Sequence, residues 1–542
     1  MDPTRQRQQR RELLAAEAEQ FLAEFRLPTR AGQPESVVAH VGPTNSGKSH
    51  DALNLLASQG AGVYASPLRL LAREAHDRLA GRLGPEAVGL VTGQEVINPR
   101  APIRCCTTEL APLVGQVLVL DEVHWLDDPD RGWAWGRLLA AANYRHIRLV
   151  GAANAETVLR SAFGDQLEVR HHRRLVPLDW GGVVDLAGIE AGSLVVSFSR
   201  RAVLALARDV AAATGLRVGA LYGALPPGTR RAQVEAFLDG RLDVLTVTDV
   251  IGHGINLPAK TVVLAETSKF DGQRRRPLHL WELAQIIGRA GRFGLAESGR
   301  AQVLRGVTGL EANASLARKA VEVAAGERSA GPALLHAPIR PTLEDLGVDT
   351  GPGLVAAIDR WQLGAGGALA NHAWLRAASL ASVSAALHRL AVEGLTTQLS
   401  VADLWRLATL PVDDPLWVAE VARAVAEPHR RLRAVHGASD PTAWSLEDAE
   451  RIASRARGLA SLAQAFPGVG GLHAADLLNT EQAAADRITS VLSHAIATST
   501  FGQCTNCKRT CPPYAELCER CRGGGRPTVP VRRGNRGPSK RR

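Results

Sequence analysis

The chain has 542 residues, 45% hydrophobic and 22% charged, which is too long for one compact core and too apolar for disorder throughout. It contains no uninterrupted apolar run of about 18 residues, so the sequence offers no membrane span and reads as a water-soluble protein. The formal net charge is +10, but residues 522–542 hold eight Lys or Arg and no acid, so most of the basic excess sits in one terminal arm.

Residues 1–30 predict an N-terminal helix, with Leu13, Leu14, Phe21, Leu22 and Phe25 forming an incomplete apolar stripe suited to packing on a neighbouring domain. Arg5, Arg7, Arg10 and Arg11 alternate with Asp2, Glu12, Glu17, Glu19 and Glu24. With no apolar centre, this resembles neither a secretory signal nor an acid-poor transit peptide, and the expected location is cytoplasmic.

From residue 37 to 305, short runs rich in Val, Leu and Ile alternate with helical stretches, as in parallel sheets covered on both faces. Strands are predicted at 37–41, 61–65, 87–91, 103–107, 117–121 and 146–150. After a break near 165–192 they resume at 194–198, 217–221, 243–247, 261–265 and 301–304. Two tandem α/β domains are expected, at 31–165 and 166–335. From 336 to 500 strand signals vanish, and segments such as 371–395 and 445–466 have helical apolar spacing, which predicts an all-helical accessory domain.

The strongest local signal is Gly42-Pro43-Thr44-Asn45-Ser46-Gly47-Lys48-Ser49, set between the apolar run 37–41 and the helical segment 52–57. Strand, glycine loop and helix stand in the order of a P-loop. Loop amides and the helix start can cradle the phosphates of ATP, Lys48 can neutralise β/γ oxygens, and the Ser49 hydroxyl can ligate magnesium. Val117 to Leu120 then runs into Asp121-Glu122-Val123-His124. Asp121 suits the magnesium ion, and Glu122 suits the water that attacks the γ-phosphate. In the second domain, Gln285-Ile286-Ile287-Gly288-Arg289-Ala290-Gly291-Arg292 sets Arg289 and Arg292 three residues apart on what is expected to be one helix face, where two guanidinium groups can reach a γ-phosphate held by the first domain. The expected catalytic set is Lys48, Asp121, Glu122, Gln285, Arg289 and Arg292.

These motifs resemble the superfamily-two DExH helicases. The P-loop spelling, Ser66 to Ala72, Val91-Thr92-Gly93, Asp130-Arg131-Gly132-Trp133-Ala134-Trp135, Ser268 to Gly272 and Gln285 to Gly294 resemble more narrowly the mitochondrial degradosome RNA helicases of the suppressor-of-Var-three type. The likeness covers about residues 36–305 and thins beyond, with weak echoes at Arg340-Pro341-Thr342-Leu343 and Ala408 to Val412. It implies two RecA-like domains. It also implies nucleic-acid backbone contacts from Pro67, Arg69, Thr107, Thr108, Ser197, Arg200, Thr246 and Thr248, and places Asp249 and Gly254 at ATP. The sequence departs at His124, where those helicases usually carry Gln, and at Gly151-Ala152-Ala153-Asn154 in place of Ser-Ala-Thr. Both positions bear on how hydrolysis couples to strand movement. With no transit peptide expected, the likeness points to a bacterial cousin.

Asp271-Gly272 is a hairpin-turn signal followed by Arg274-Arg275-Arg276. Related helicases split the duplex with a hairpin there, and an exposed basic loop is the alternative. Trp133, Trp135, Trp361, Trp374, Trp405 and Trp417 read mainly as packing residues, and His171-His172-Arg173-Arg174 reads as an interdomain linker rather than a metal site. Cys504-x2-Cys507 and Cys518-x2-Cys521, ten residues apart, predict a small four-cysteine zinc module at 501–525, with Cys511 as a spare ligand. The basic, disordered tail 526–542 reads as a grip for a polyanion, or alternatively as a solubilising arm.

The fold class expected is therefore α/β: two tandem RecA-like parallel-sheet domains, an all-helical C-terminal domain and a zinc-binding module. The function expected is an ATP-dependent helicase or translocase using ATP, Mg2+ and Zn2+. Its partner would be single-stranded or tailed duplex nucleic acid, with RNA favoured and unwound 3′ to 5′, DNA as the alternative, and an exoribonuclease as a protein partner. The competing readings are a DNA helicase of repair or recombination and an ATP-switched clamp that unwinds little.

Overall fold

A computed structural model describes residues 27–93, 95–248, 257, 259–270, 275–291, 297–305, 310–328, 333–410, 415–427, 432 and 440–497, with Phe21 and Phe25. Asp249, Gly254, Arg292, the Asp271-Gly272 turn, all the zinc cysteines and the basic tail lie outside the described residues.

The first domain is an 8-stranded sheet built from β1 (Ser36–Val41), β2 (Gly62–Ser66), β3 (Val88–Val91), β4 (Val96–Ile97), β5 (Ile103–Thr107), β6 (Val114–Leu120), β7 (Asn143–Gly151) and β8 (Leu167–His171). Their order is β4-β3-β5-β2-β6-β7-β1-β8, parallel except at β4. The strands are near-continuous apolar runs because both faces are covered. Helices α1 (Lys48–Gln59) and α2 (Arg69–Leu83) pack with Val88, Leu90, Val119 and Val150 on one face. Helices α3 (Trp133–Ala141) and α4 (Glu156–Phe163) pack with Val37, Leu118, Leu120 and Leu149 on the other.

The second sheet holds β9 (Leu178–Val184), β10 (Ser193–Val196), β11 (Val218–Leu221), β12 (Val244–Val247), β13 (Thr261–Leu264) and, after an intervening hairpin, a sixth strand at Gly299–Leu304. The hairpin comprises β14 (Ser268–Phe270) and β15 (Arg275–Pro277), which makes Gly299–Leu304 β16. The order is β11-β12-β10-β13-β16-β9, all parallel. Helices α5 (Arg200–Thr214), α6 (Pro227–Leu238), α7 (Leu280–Ile287) and α8 (Leu310–Ala325) cover it.

Every predicted strand is found. The supposed break near 165–192 instead holds β8 and β9, which are edge strands of the two sheets, so the change of sheet falls between residues 171 and 178.

Among the described residues, the C-terminal region is helical apart from the short parallel pair β17 (Ala337–Ile339) and β18 (Leu375–Ala377). It does not form one separate lobe. Helices α9 (Gly351–Ala368), α10 (Ala381–Val392), α11 (Val401–Ala408) and α12 (Pro415–Ala426) share a core around Trp361. The Phe21 and Phe25 rings pack on that tryptophan at centroid distances of 5.7 and 5.6 Å, while Leu13, Leu14 and Leu22 of the expected stripe lie outside the described residues. The long hairpin of α13 (Leu446–Ala465) and α14 (Ala474–Ala497) adds Leu459, Leu462 and Leu477 to that core at one end, and at the other buries Leu446, Ile452, Ile488 and Leu492 against Tyr222 and Leu225 of the second domain. Each such fully buried side chain contributes roughly 1.5–3 kcal/mol. Polar contacts reinforce the seam: Tyr222 donates to Glu450 at 2.6 Å, and the Thr229 hydroxyl donates to the Ala485 carbonyl at 2.9 Å.

Trp135 is fully buried and its Nε1 donates to the Asp121 carbonyl at 3.1 Å, while Trp133 lies beneath the Arg340 guanidinium, 3.5 Å from the ring centroid. Both tryptophans therefore pack the helical region and the acid motif onto the first domain. No helix among the described residues is long and apolar enough to cross a membrane.

Candidate nucleotide site between the two sheets

The glycine loop leaves the carboxyl end of β1, where open α/β sheets place their ligands. Gly47 has φ 79°, a conformation that needs glycine, and it turns the chain so that α1 starts at Lys48 with its free amides facing the loop. Lys48 is buried, and its Nζ donates to the Pro43 carbonyl of the same loop at 2.9 Å. Burial lowers its pKa, Glu122 and Asp121 pull it back up, and the charges of Arg289 and Arg174 lower it further. The ammonium thus sits among both acids and arginines from beyond the first sheet.

Asp121 emerges buried at the end of β6. Its Oδ1 accepts from the Glu122 amide at 2.9 Å and from the Ser49 hydroxyl at 3.5 Å, and its Oδ2 accepts from Tyr64 at 2.6 Å. Glu122 takes φ 52°, and Asn45 in the glycine loop takes φ 59°. Among the described residues only one other non-glycine position, Asn98, has positive φ, so the backbone strain concentrates at this site.

The buried hydroxyls of Thr44 and Ser46 lack a hydrogen-bond partner among the described residues, although buried polar groups are normally satisfied. Orphaned donors in a glycine loop beside a buried lysine fit phosphate oxygens. Ser49 and Asp121 offer the hard oxygen ligands that magnesium takes.

Burial, with the negative charge of Glu122, pushes the Asp121 carboxyl up to about 6. The fold therefore favours the neutral acid. That contribution to stability is complete below the ordinary carboxylate value and is lost as pH rises through about 6. Asp121→Asn is thus expected to abolish Mg2+-dependent turnover yet raise the melting temperature of the nucleotide-free protein at about pH 7.5, with a smaller gain at about pH 5. Melting curves of both proteins at the two pH values test this, and a lower melting temperature for the variant at the higher pH contradicts it.

The second domain closes the site through the stretch 285–291, where α7 ends at Ile287 with Gly288 as its cap, so Arg289 lies in the turn beyond the helix and not on a helix face as the sequence suggested. Gly288 approaches so closely that a Cβ there would overlap Thr44 Oγ1, so only glycine fits. The Asn45 side-chain amide donates to the Gly291 carbonyl at 2.8 Å. Arg174, in the connector between the sheets, donates to the Thr44 carbonyl at 3.2 Å and the Gly288 carbonyl at 3.0 Å, and also reaches the Ala290 carbonyl. Burial lowers its pKa to about 10.

His124 joins three motifs: its Nδ1 accepts from the Ala152 amide at 3.4 Å and lies 3.4 Å from Glu122 Oε2, while its Nε2 meets the Gln285 side-chain amide. The departure from Gln at this position thus keeps a polar link between the acid motif, the segment after β7 and the second domain.

Lys48, Ser49, Asp121, Glu122, Gln285 and Arg289 therefore gather around one cleft. Tyr64 and Arg174 belong to it as well. Tyr64 gave no sequence signal. Arg174 stood in a basic run read only as a linker.

The residues expected at nucleic acid are spread out. Pro67 is buried and its carbonyl accepts from Arg131 at 2.6 Å. Arg69 opens α2, and Thr107 and Thr108 are buried at the end of β5. The Ser197 hydroxyl donates to Glu266 at 3.1 Å, and Arg200 pairs with Glu450 of α13 at 3.0 Å. The buried Thr246 hydroxyl donates to the Gly219 carbonyl at 3.1 Å, and Thr248 is buried beyond β12.

Residues 27–172 match the family described as the DEXQ-box helicase domain of Suv3, and residues 185–294 match the helicase conserved C-terminal domain. The chain is 38% identical over 272 residues to the mitochondrial ATP-dependent RNA helicase SUV3 of Saccharomyces paradoxus, which covers 47% of this chain and 36% of that protein. It is 36% identical over 277 residues to the mitochondrial DExH-box ATP-dependent RNA helicase DExH16 of Arabidopsis thaliana, covering 49% of this chain and 48% of the relative. The human mitochondrial ATP-dependent RNA helicase SUPV3L1 is 33% identical over 288 residues, covering 49% and 36%. The match thus spans between about a third and a half of each relative's length.

Proposed function

Given a Suv3-type DEXQ-box helicase domain followed by a helicase C-terminal domain, we propose that the chain is an ATP-dependent RNA helicase that hydrolyses ATP in the cleft between its two sheets. The observation that carries this reading is the contact of Gly288, Gly291 and Arg174 with the glycine loop, which makes the nucleotide site a joint between two domains.

Lys48 swings from the Pro43 carbonyl onto β/γ oxygens, and the Thr44 and Ser46 hydroxyls gain the partners they lack. Ser49 and Asp121 would hold magnesium, which when bound would neutralise charge building on the phosphates. Glu122 orients the attacking water and accepts its proton, while Arg289 approaches from the second domain to stabilise the leaving charge. Loss of the γ-phosphate removes its share of the contacts between the two sheets and leaves the protein's own links to hold the cleft. The link from His124 to Gln285 then carries the opening from the acid motif to α7.

For the strand, Arg69 of α2, Arg230 of α6 and Arg457 of α13 converge from three parts of the fold. Burial lowers the pKa of Arg69 and of Arg230, and the charge of Arg457 lowers both further. Arg457 pairs with Glu481 at 2.9 Å, whereas the buried Arg230 Nε has no hydrogen-bond partner among the described residues. Such a cluster suits a phosphate backbone. The choice of RNA rests on the relatives, which are RNA helicases. Zinc held by Cys504, Cys507, Cys518 and Cys521 would add a second grip on the strand, and an exoribonuclease receiving the unwound strand completes the proposal.

The test is ATP hydrolysis by the full chain alone, with single-stranded RNA and with single-stranded DNA of the same sequence, followed by strand displacement on 3′-tailed duplexes. RNA is expected to raise kcat at least about tenfold, a lowering of the barrier by about 1.4 kcal/mol. A response to DNA alone would move the reading to a DNA helicase, and ATPase stimulation without displacement would move it to a clamp.

A further inference from the structure

We propose that His40, Asp51 and His172 form a binding site for one divalent transition-metal ion of the zinc class, on the flank of the phosphate-binding loop. Two imidazoles and a carboxylate with ligand atoms all within 4.8 Å of one another make a donor set that zinc, cobalt and nickel accept, with a fourth position left for water. His40 Nδ1 and His172 Nε2 are 2.9 Å apart, so the two imidazoles now share a single proton. Tetrahedral metal–nitrogen bonds of about 2.0–2.1 Å need nitrogens about 3.3 Å apart, so exchanging that proton for an ion parts the two nitrogens by a few tenths of an ångström and tilts both rings toward a point beside the line that now joins them.

The three ligands come from separate segments that the fold brings together. His40 is the penultimate residue of β1, on the face covered by α1, and Asp51 lies in the first turn of α1. His172 follows β8, its amide donating to the Val41 carbonyl at 2.8 Å. His40 is buried, His172 half-buried and Asp51 exposed, which gives an ion a polar opening to water.

A ligating imidazole must be uncharged, and the burial of His40 favours that form. The charges of Arg148 and Arg170 oppose a cation here. Asp51 acts in the opposite sense, and Arg170 is itself paired with Glu168 at 2.6 Å.

The consequence is mechanical. An ion at this place ties together the strand before the glycine loop, the helix after it, and the connector that two residues later carries Arg174 into the cleft. It would fix the connector against the loop.

The cysteine cluster is expected to bind zinc itself, so the test uses the full chain and Co2+, whose spectrum separates thiolate from nitrogen and oxygen ligation. Wild type is expected to bind one equivalent more than either His172→Ala or Asp51→Asn, and the lost equivalent should lack thiolate charge-transfer absorption. A second arm replaces Cys504, Cys507, Cys511, Cys518 and Cys521 with serine. That chain should still bind one equivalent, and none after His172→Ala. Equal stoichiometry in wild type and both variants, or no ion bound by the serine chain, overturns the proposal. Circular dichroism of each variant confirms that the fold is retained.

Discussion

Lys48→Ala is expected to lower kcat for ATP hydrolysis by about 10³-fold and to weaken ATP binding, while the protein remains folded. Among the described residues, Lys48 is the one lysine that is buried, and it sits at the glycine loop between the acid pair and the arginines of the cleft. In such a dry, preorganised setting, removing one charged donor from the developing phosphate charge costs on the order of 10²–10³-fold in rate. The same ammonium also meets β/γ oxygens in the ground state, so binding suffers together with turnover. Stability should change little, because the variant loses both the desolvation cost of a buried cation and its attraction to Asp121 and Glu122. Steady-state hydrolysis, a fluorescent-nucleotide titration and a melting curve test the three statements. Near wild-type turnover in a folded variant would falsify the site assignment.

Arg289→Ala should separate these effects, with kcat falling about 10³–10⁵-fold and the affinity for ATP nearly unchanged. Arg289 comes from the second domain, with its carbonyl held by the Ala259 amide at 3.2 Å, and its charge is felt by the Lys48 ammonium across the cleft. A guanidinium brought in by domain closure acts on charge that appears during transfer, not on nucleotide bound to the loop alone. Arg289→Lys should recover little, because a point charge lacks the planar fork that meets two oxygens together. If Arg289→Ala instead lost affinity while keeping kcat, the arginine would be a binding residue rather than a transition-state one.

Much of this was legible because the first-domain motifs are contiguous. Residues 42–49 specify strand end, loop and helix start through local backbone rules, and Asp121 and Glu122 follow directly on an apolar strand. The pairing of 285–292 with them came from chemistry, since phosphoryl transfer needs positive charge opposite the lysine.

The sequence missed β8 and β9 for one reason. Both are sheet edges with partly exposed faces, so Leu167–His171 and Leu178–Val184 lack the continuous apolar run that marks a central strand. The strands at Ala337–Ile339 and Leu375–Ala377 are only 3 residues each, too short for periodicity to register.

By itself, the sequence determined the class of the two sheets and marked the candidate phosphate loop, the acid pair and the arginine motif, because each depends on residues within a few positions of one another. Only the tertiary structure decided that Arg174 bolts the connector to both sides of the cleft. It alone showed that His124 reaches Gln285 across 161 residues of chain, that the α13–α14 hairpin seals Arg200 and Tyr222 against Glu450, and that His40, Asp51 and His172 share one corner. Those contacts are set by which strands lie side by side and how the two sheets close. That packing is a property of the whole chain and leaves no local pattern in sequence.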